Sequence, residues 1–280
     1  MYNWLAVLLL FLTNTISNAQ TEVPLHIDDG GYITIPVKIN DTVSAVFLLD
    51  TGGGVNMVSS DLFNKLDRPE QAGLHTGTRH NGEQITGMLY VLPSLTIGKF
   101  SKTNVVIGQY AGLTKYDGIL SMSYFEDIPF SIDFIHRKLV IETNESLAAI
   151  DDHAEKIALH VKKAGKYQRD LFVNICINDS VHAKAEFDTG AGFNMLMLNT
   201  TYLKKLGINV PDKKQDYGYY VYSTTLSKLS YCGSGKLYET YHFVGFREGL
   251  IYEGLIGSGM FRNSIITINI PGKEILVWNK

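Results

Sequence analysis

Apolar and polar positions along the chain form short runs that are separated by turn-forming residues. β-Branched and aromatic residues dominate 32–39 and 43–49, and the turn pair Asn40-Asp41 separates these two runs. Runs of this length and composition predict β-strands, and the pair between them predicts a tight turn. The same strand–turn–strand pattern recurs around residue 178. The pattern therefore predicts a mostly β protein.

A short helix is predicted downstream of each strand pair. Ser60 is placed to cap a helix over 61–66. Thr200 is placed in the same way before 202–206, where Gly207 supplies the left-handed residue that commonly ends a helix. The predicted architecture is thus strands joined by turns and brief helical segments.

The strand pattern belongs to a longer internal repeat. Residues 37–56 and 175–194 align without a gap at a spacing of 138 residues, and each carries Asp-Thr-Gly where its predicted strand ends. Farther along, 117–121 and 253–257 match at a spacing of 136 residues. Because two blocks keep their order and nearly their spacing, the chain is predicted to be a duplicated domain.

The duplication sets the expected domain organisation. We expect one lobe over 21–145 and a second over 155–280, joined by a linker over 146–154. Each lobe then has about 125 residues, which is an ordinary domain size. A chain of 280 residues can bury enough apolar surface to fold without a metal or a disulfide.

The first twenty residues predict a targeting segment. Apolar residues run without interruption from 5 to 12, and Ser17 and Ala19 are the small residues that a signal peptidase reads, which places cleavage before Gln20. This run is much shorter than the ~20 apolar residues that cross a bilayer. The segment lacks lysine and arginine, and the alternative is a buried terminal strand or helix. We expect residues 1–20 to be a signal peptide, and the mature protein to be exported to the periplasm or secreted, without stable insertion in a membrane.

Composition and charge exclude several classes of protein. The hydrophobic fraction of 45% rules out a disordered chain. The formal net charge is −3 and there is no long basic run, so nucleic acid is not an expected partner. The eight histidines have no metal-binding spacing, and the motifs of serine hydrolases, zinc proteases and phosphate-binding loops are missing from the sequence. We therefore expect neither a metal nor a cofactor.

The two cysteines, Cys176 and Cys232, both lie in the second predicted lobe. In an exported protein they can form a disulfide. The alternative is that Cys176 is a buried thiol on an apolar strand, and geometry decides between the two.

The two Asp-Thr-Gly turns are the candidate chemistry of the chain. One such turn alone means little, because Asp and Gly are common in turns. Related lobes that face each other across an approximate two-fold axis bring equivalent loops together, so Asp50 and Asp188 are expected to be neighbours. Two carboxyl groups in contact share one proton, so one can act as a base toward water and the other as an acid. Such a pair can hydrolyse an amide bond without a metal.

In these residues the chain resembles the aspartic peptidases, of both the retroviral and the pepsin type. Residues 47–52 and 186–190 resemble the two catalytic loops of that family. Residues 118–121 and 254–257 resemble the hydrophobic-hydrophobic-glycine element that packs beside each loop. The resemblance implies an all-β fold of two related acid-protease-like β-barrel lobes, with pseudo-two-fold symmetry and a cleft between them.

The resemblance also implies a role for each residue of the two loops. Asp50 and Asp188 would be the catalytic pair that holds the attacking water. Thr51 and Thr189 would brace the loops through hydroxyl-to-backbone hydrogen bonds. The glycines that follow would let the substrate and the opposite loop approach closely; they are Gly52 and Gly190.

A flap that binds substrate by closing over the cleft is expected at the hairpin of Asn81 and Gly82, because Asn-Gly is a strong signal of a two-residue hairpin turn. Two segments that contain tyrosine are the alternatives to this hairpin as parts of the flap. They are Tyr90 and the cluster Tyr217-Gly218-Tyr219-Tyr220.

The chain departs from the family near the predicted catalytic pair. Gly53 and Ala191 follow the two Asp-Thr-Gly triplets, so neither supplies a hydroxyl to the outer carboxylate oxygens. Lack of that donor predicts a less acidic pair and a pH optimum that is mildly acidic to neutral. Ser121 stands where the first lobe should carry glycine, and its Cβ is expected to crowd the Asp50 loop.

These residues predict an aspartic endopeptidase that acts on polypeptides as a monomer, because one chain supplies both carboxyl groups. A different class of protein is the alternative. Gly53 and Ser121 also fit a catalytically inactive peptide-binding or sensor protein that retains the fold.

Overall fold

The computed structural model describes residues 20–209, 214–216, 219–226, 228–232, 238–239 and 242–279. Side chains are described at all of these except 214–216, 219–224, 238–239 and 242–243. Residues 1–19 of the predicted signal peptide therefore lie outside the described residues, and the signal peptide stays a prediction.

Strands dominate the described residues. The strands before residue 142 are β1 (Thr21–Pro24), β2 (His26–Ile27), β3 (Ile33–Ile39), β4 (Val43–Leu49), β5 (Met57–Ser59), β6 (Glu70–Thr78), β7 (Gln84–Ile97), β8 (Phe100–Tyr110), β9 (Gly118–Leu120), β10 (Phe130–Asp133) and β11 (Lys138–Ile141). The later strands are β12 (Glu155–Ala164), β13 (Gln168–Ile177), β14 (Val181–Phe187), β15 (Leu196–Asn199), β16 (Lys214–Asp216), β17 (Tyr219–Leu226), β18 (Leu229–Tyr231), β19 (Tyr238–Glu239), β20 (His242–Arg247), β21 (Gly254–Ile256), β22 (Ile265–Asn269) and β23 (Glu274–Trp278). The helices are α1 (Ser60–Phe63), α2 (Asn144–Asp151) and α3 (Thr201–Lys205), with single 3₁₀ turns at Thr189–Ala191 and Gly259–Phe261.

The predicted all-β fold class is confirmed, and the first half of the chain forms a barrel. Strands β3, β4, β9, β5, β8 and β7 pair in that order, and β7 pairs back to β3. A closed ring of strands leaves no free edge for pairing with another chain. The barrel therefore gives the first Asp-Thr-Gly loop a rigid support.

The second half repeats the central arrangement of the first. Strand β9 lies between β4 and β5, parallel to β4 and antiparallel to β5. Strand β21 lies in the same way between β14 and β15. The two Asp-Thr-Gly segments follow β4 and β14, so each leaves its sheet at an equivalent point.

Equivalent turns connect the strands that lead to these segments. The central residues of the two turns are Asn40-Asp41 and Asn178-Asp179, with φ of 50° and 57° in the first and 49° and 56° in the second. Two consecutive positive φ angles define the hairpin turn whose twist matches that of its strands. Asn and Asp tolerate this backbone better than other non-glycine residues, which explains why both copies use them.

Both predicted short helices are present, with bounds that differ slightly from those expected. Ser59, rather than Ser60, caps α1, because its Oγ accepts from the backbone N–H of Leu62 at 3.1 Å. Thr200 precedes α3 without a side-chain capping bond, and Gly207 beyond it has φ +63°. Within the described residues, the helices are too short or too polar to cross a membrane.

Strands from both halves share one sheet region, in the order β1-β11-β10-β22-β23-β12. Strands β10 and β22 pair antiparallel, with Ser131 opposite Thr267 and Ile132 opposite Ile266. Thr267 is also the counterpart of Ser131 in the repeat, so an approximate two-fold axis passes between these two residues. Their hydroxyl oxygens lie 2.7 Å apart.

The segment predicted as a linker over 146–154 lies largely in α2. Thr143 and Ser146 form a reciprocal capping box at its start: the Ser146 N–H donates to Thr143 Oγ1 at 3.1 Å, and the Thr143 N–H donates to Ser146 Oγ at 2.9 Å. Strand β12 then pairs with β23 through its first residues and with β13 through its last. The exact boundaries of the two lobes stay a prediction.

Cys176 and Cys232 form a disulfide with a Cα–Cα distance of 5.4 Å, so the buried-thiol alternative is wrong. The bridge ties β13 to the residue that follows β18. His182 Nδ1 lies 3.2 Å from each sulfur, which brings three potential metal ligands together. Both sulfurs are taken by the disulfide, so this cluster has no thiolate to offer a metal.

Candidate active site

The two predicted catalytic aspartates come together where the equivalent loops meet. The Asp50 N–H donates to the carbonyl of Leu120 in β9 at 3.0 Å. The Asp188 N–H donates in the same way to the carbonyl of Ile256 in β21, at 2.8 Å. The inserted strands β9 and β21 therefore hold both loops in equivalent positions.

Thr51 and Thr189 link the two loops directly. Each hydroxyl accepts from the other residue's backbone N–H, at 3.1 Å from Thr51 N and 2.9 Å from Thr189 N. Each hydroxyl also donates to a carbonyl across the axis, Thr51 to Phe187 at 2.5 Å and Thr189 to Leu49 at 2.7 Å. Both threonines are 0% exposed. Four hydrogen bonds shielded from water thus fix the separation of the loops.

Glycine is required immediately after each threonine. A Cβ at Gly52 would lie 2.7 Å from Asp188 Cγ, and one at Gly190 would lie 2.5 Å from Asp50 Cγ. Both distances are well inside van der Waals contact. The two glycines therefore let each carboxyl group lie against the opposite loop.

The Asp50 and Asp188 carboxyl groups are within hydrogen-bonding reach of each other. Burial raises the pKa of Asp50, while hydrogen bonds from Asp188 and from the Gly52 N–H, at 2.9 Å, oppose this rise. Burial raises the pKa of Asp188 well above its usual value, and the negative charges of Asp50 and Glu186 add to this effect. The two carboxyl groups therefore share one proton, and burial together with neighbouring negative charge raises the pKa of Asp188 more than that of Asp50.

Ser121 is fully buried, and both its N–H and its hydroxyl have polar partners. Its N–H donates to Asn56 Oδ1 at 2.9 Å, and its hydroxyl lies 2.8 Å from Ser123 Oγ. Its counterpart Gly257 lies where a Cβ would approach a backbone carbonyl oxygen to 1.9 Å. The second loop therefore needs glycine at this position, and the crowding expected from the Ser121 Cβ in the first loop stays a prediction.

A cleft with a volume of about 280 Å³ opens beside the carboxyl pair. It is lined from one side by residues 52–55 and by the β6–β7 hairpin. The other side is formed by Asp188, Tyr252, Leu255 and residues at the start of β13 and the end of β14. Both halves of the chain therefore contribute walls, and Asp188 faces the space between them, whereas the first loop contributes Gly52 and Gly53 to the lining.

The β6–β7 hairpin reaches across this cleft. Its turn contains Asn81 and Gly82, the predicted flap residues, and Gly82 has φ +85°. The carbonyl of His80 accepts from the Ile251 N–H at 3.0 Å, and Arg247 donates to His80 Nε2. Residues 78–80 line the cleft, whereas Asn81 and Gly82 rest at the tip, outside the lining. The hairpin is thus latched onto the second half.

The tyrosine alternatives for the flap lie elsewhere. Tyr90 packs on Phe63 with ring centroids 4.6 Å apart and is not among the residues that line the cleft. Tyr217 and Gly218 lie outside the described residues, and Tyr219 and Tyr220 belong to β17 with side chains that are not described.

Sequence reasoning missed the acidic residues of the cleft wall. Asp170 and Glu186 are 2% and 5% exposed and line the cleft beside Asp188. Comparison of the two repeats could have identified them. Leu48 in the first repeat corresponds to Glu186 in the second, and Tyr32 corresponds to Asp170. Carboxyl groups thus replace bulky apolar or aromatic residues on strands of the second half.

Comparison with known families agrees with this geometry. Residues 35–124 match the family of aspartyl proteases, a segment that includes the Asp50 loop, the β6–β7 hairpin and β9. No curated protein matches the chain. The match of residues 35–124 to the aspartyl protease family therefore confirms the predicted resemblance to the aspartic peptidases for this part of the chain.

Proposed function

We propose that the protein is an aspartic endopeptidase that cleaves peptide bonds with a water molecule activated between Asp50 and Asp188. The observation that carries this proposal is the reciprocal bracing of the two loops, which places each carboxyl group against the glycine of the opposite loop. Burial and mutual charge separate their pKa values, which supplies an acid and a base at the same place.

Each carboxyl group has a definite role in the proposed reaction. The ionised Asp50 takes a proton from the water as its oxygen attacks the carbonyl carbon, and Asp188 gives its proton to the carbonyl oxygen. The C–N bond of the tetrahedral intermediate then breaks as Asp50 passes its proton to the leaving nitrogen. The hydroxyl of the intermediate returns a proton to Asp188. The products are a free amine and a carboxylic acid, and the pair is restored.

The proposed substrate is a polypeptide, and the proposed setting is outside the cytoplasm. The cleft lies between walls from both halves of one chain, which supports a monomeric enzyme. The apolar run near the N-terminus and the Cys176–Cys232 disulfide support export to the periplasm or secretion.

The proposal is tested with the mature chain, residues 20–280, and a mixed peptide library between pH 3 and 8. We expect the wild-type protein to cleave, and Asp50→Asn and Asp188→Asn each to lower kcat/KM by about a thousandfold. Asp67→Asn is the matched control, because it removes an exposed carboxyl group away from the cleft. Near-ultraviolet circular dichroism confirms that each variant is folded.

An inactive peptide-binding protein is the competing function, and Gly53 is the residue that favours it. It offers only its backbone N–H to Asp50, because glycine has no side-chain donor. Peptide binding by all variants, without cleavage by the wild type at any pH, would overturn the proposed activity in favour of this alternative.

A further inference from the structure

We propose that Glu186 and Asp170 form an acidic subsite of the cleft, which binds a lysine or arginine side chain of the polypeptide close to the cleaved bond. This inference rests on the proposed function and specifies its substrate. It assigns a role to two carboxyl groups that the reaction at Asp50 and Asp188 does not use.

The strand register places both groups beside the catalytic pair. Glu186 lies near the end of β14 and precedes Asp188 by two residues; the backbone of Asp188 is still extended, so the two side chains are on the same side of the chain. Phe172 in β13 pairs with Glu186, and Asp170 precedes Phe172 by two residues. Asp170 and Glu186 therefore share the face that carries Asp188, and both line the cleft.

The Glu186 carboxyl group has no hydrogen-bond or ion-pair partner within the part of the chain that the structure describes. Its side chain is 95% buried, since the residue is 5% exposed. Among the described residues, none forms a hydrogen bond or ion pair with this carboxylate. Burying an ionisable group without compensation is costly, so its retention indicates a partner that arrives from outside. The open side of the group is the cleft.

Asp170 is held in place by a neighbour that also contacts the hairpin. The amide of Gln168 donates to both carboxylate oxygens of Asp170, each at 2.9 Å. The Gln168 carbonyl oxygen lies 3.2 Å from His75 Nε2 in β6. Gln168 therefore bridges the Asp170 carboxylate and the β6–β7 hairpin.

The remaining wall suits the aliphatic stem of a basic side chain. Tyr252 and Leu255 line the cleft next to Glu186, and the Tyr252 ring packs edge-on against Phe172 with centroids 5.0 Å apart. Lys162 lies 5.6 Å from the Tyr252 ring centroid, but it is exposed and forms no ion pair with either carboxylate. An apolar wall with a carboxylate at its end favours a cation on a long stem.

The first half of the chain provides an internal comparison. Leu48 occupies the position of Glu186 and is 6% exposed, so an apolar residue is fully compatible with this strand position. The fold therefore does not require a carboxylate at residue 186. The difference between the two halves makes the cleft acidic on one side only, which predicts selectivity on one side of the cleaved bond.

The electrostatics of the cleft agree with this assignment. Burial raises the pKa of Glu186 to about 8, and the charges of Asp170 and Asp50 contribute to the rise while Lys162 opposes it. An ammonium or guanidinium group beside Glu186 would favour the ionised carboxylate. Binding of a basic side chain is thus expected to release a proton from the protein.

The deciding experiment measures binding, in a protein that cannot cleave. The protein used carries Asp188→Asn. We compare its affinity for two peptides that differ only in having lysine or norleucine at one position. The comparison is repeated for every position of the peptide. At one position we expect the lysine peptide to bind about tenfold more tightly. Adding Glu186→Gln should abolish the preference, and Asp170→Asn should reduce it; Asp67→Asn should leave it unchanged.

The outcomes separate this inference from the proposed function. Equal affinity for lysine and norleucine at every position, or a lysine preference that survives Glu186→Gln, overturns the acidic subsite even if the wild-type protein cleaves peptides. A Glu186-dependent preference in a protein whose wild type cleaves nothing upholds the subsite and overturns the peptidase activity. Asp170→Asn provides the second test if Glu186→Gln fails to fold.

Discussion

At the residue scale, the site brings several carboxyl groups together in a buried environment, which disfavours their ionised form. Asp50, Asp188, Glu186 and Asp170 all have pKa values raised by burial. For each of them the folded state holds a proton over a pH range in which the unfolded chain has lost it. The free energy of unfolding therefore falls as pH rises through that range.

Glu186→Leu tests the free-energy cost of burying this carboxyl group. Leucine is chosen because Leu48 is the counterpart of Glu186 in the first half. The window runs from about pH 4.5, where the unfolded glutamate ionises, to about pH 8, where the folded one does. We expect the variant to be more stable than the wild type at pH 8, by up to about 4 kcal/mol, and to differ little at pH 4. Urea unfolding across this range measures the difference. An equal pH dependence in variant and wild type would contradict the burial of an uncompensated carboxyl group.

The threonine brace is a second prediction at this scale. Thr51→Val keeps the shape of the side chain but removes a hydroxyl that serves Thr189 N–H and the Phe187 carbonyl. Two buried backbone groups then lose their partner, so we expect a loss of about 2–4 kcal/mol in the free energy of unfolding and a large drop in kcat. Thr51→Ser retains the hydroxyl and should retain most of both. Chemical unfolding and peptide hydrolysis measure the two effects, and equal behaviour of the valine and serine variants would contradict the brace.

The residues of the pair were predictable from sequence, whereas the acidic subsite was not. The Asp-Thr-Gly triplet occurs twice at equivalent positions of a repeat, and symmetry alone then suggests that Asp50 and Asp188 meet. Glu186 alternates with Phe187 on a strand, a pattern that usually indicates a solvent-facing side chain. Only the topology shows that this face of β14 is turned into the cleft.

At the scale of elements, the β6–β7 hairpin is the part of the cleft best placed to move. Its tip is held by the backbone bond from Ile251 to His80 and by the contact between Arg247 and the His80 ring. Burial lowers the pKa of His80, and the charges of Arg247 and Arg79 lower it further. The latch therefore requires a neutral imidazole.

Acidification is expected to release this latch. The folded protein disfavours protonated His80, so the latched state loses stability as pH falls below the ordinary histidine pKa of about 6.5. Hydrogen exchange at the Ile251 amide reports the release. After correction for intrinsic rates, the exchange rate of this amide is divided by that of amides in the barrel. We expect this ratio to be larger at pH 5 than at pH 7. His80→Gln, which stays neutral, should remove this dependence; an unchanged pH response in that variant would exclude His80 as the cause.

Local elements were predicted better than distant pairings. The turns at residues 40–41 and 178–179 follow from their own residues, because Asn and Asp accept positive φ. The sequence predicted a linker at 146–154 but not the helix α2. The capping box that starts this helix, between Thr143 and Ser146, is hard to recognise in a stretch rich in acidic residues. The pairing of β12 with β23 and the Cys176–Cys232 bridge depend on contacts between distant segments, which composition does not specify.

At the scale of the whole molecule, the two halves are joined at more than one point on the two-fold axis. Strands β10 and β22 pair through equivalent residues, and the threonine brace connects the loops. An ion pair between Arg169 and Glu126, at 2.8 Å, adds a contact away from the axis. A site built on such an axis needs two copies of the loop, and this chain carries Asp-Thr-Gly twice, at residues 50–52 and 188–190.

A complete site in each chain predicts activity without association. We expect specific activity to stay constant over about three orders of magnitude of dilution, because no subunit has to dissociate or assemble. The sharper measurement mixes Asp50→Asn with Asp188→Asn protein. If each chain forms its own site, both kinds of chain lack one carboxyl group, and the mixture should be as inactive as either variant alone. Recovery of activity on mixing would show that a site forms between chains, with Asp50 from one and Asp188 from another, and would contradict the monomeric enzyme.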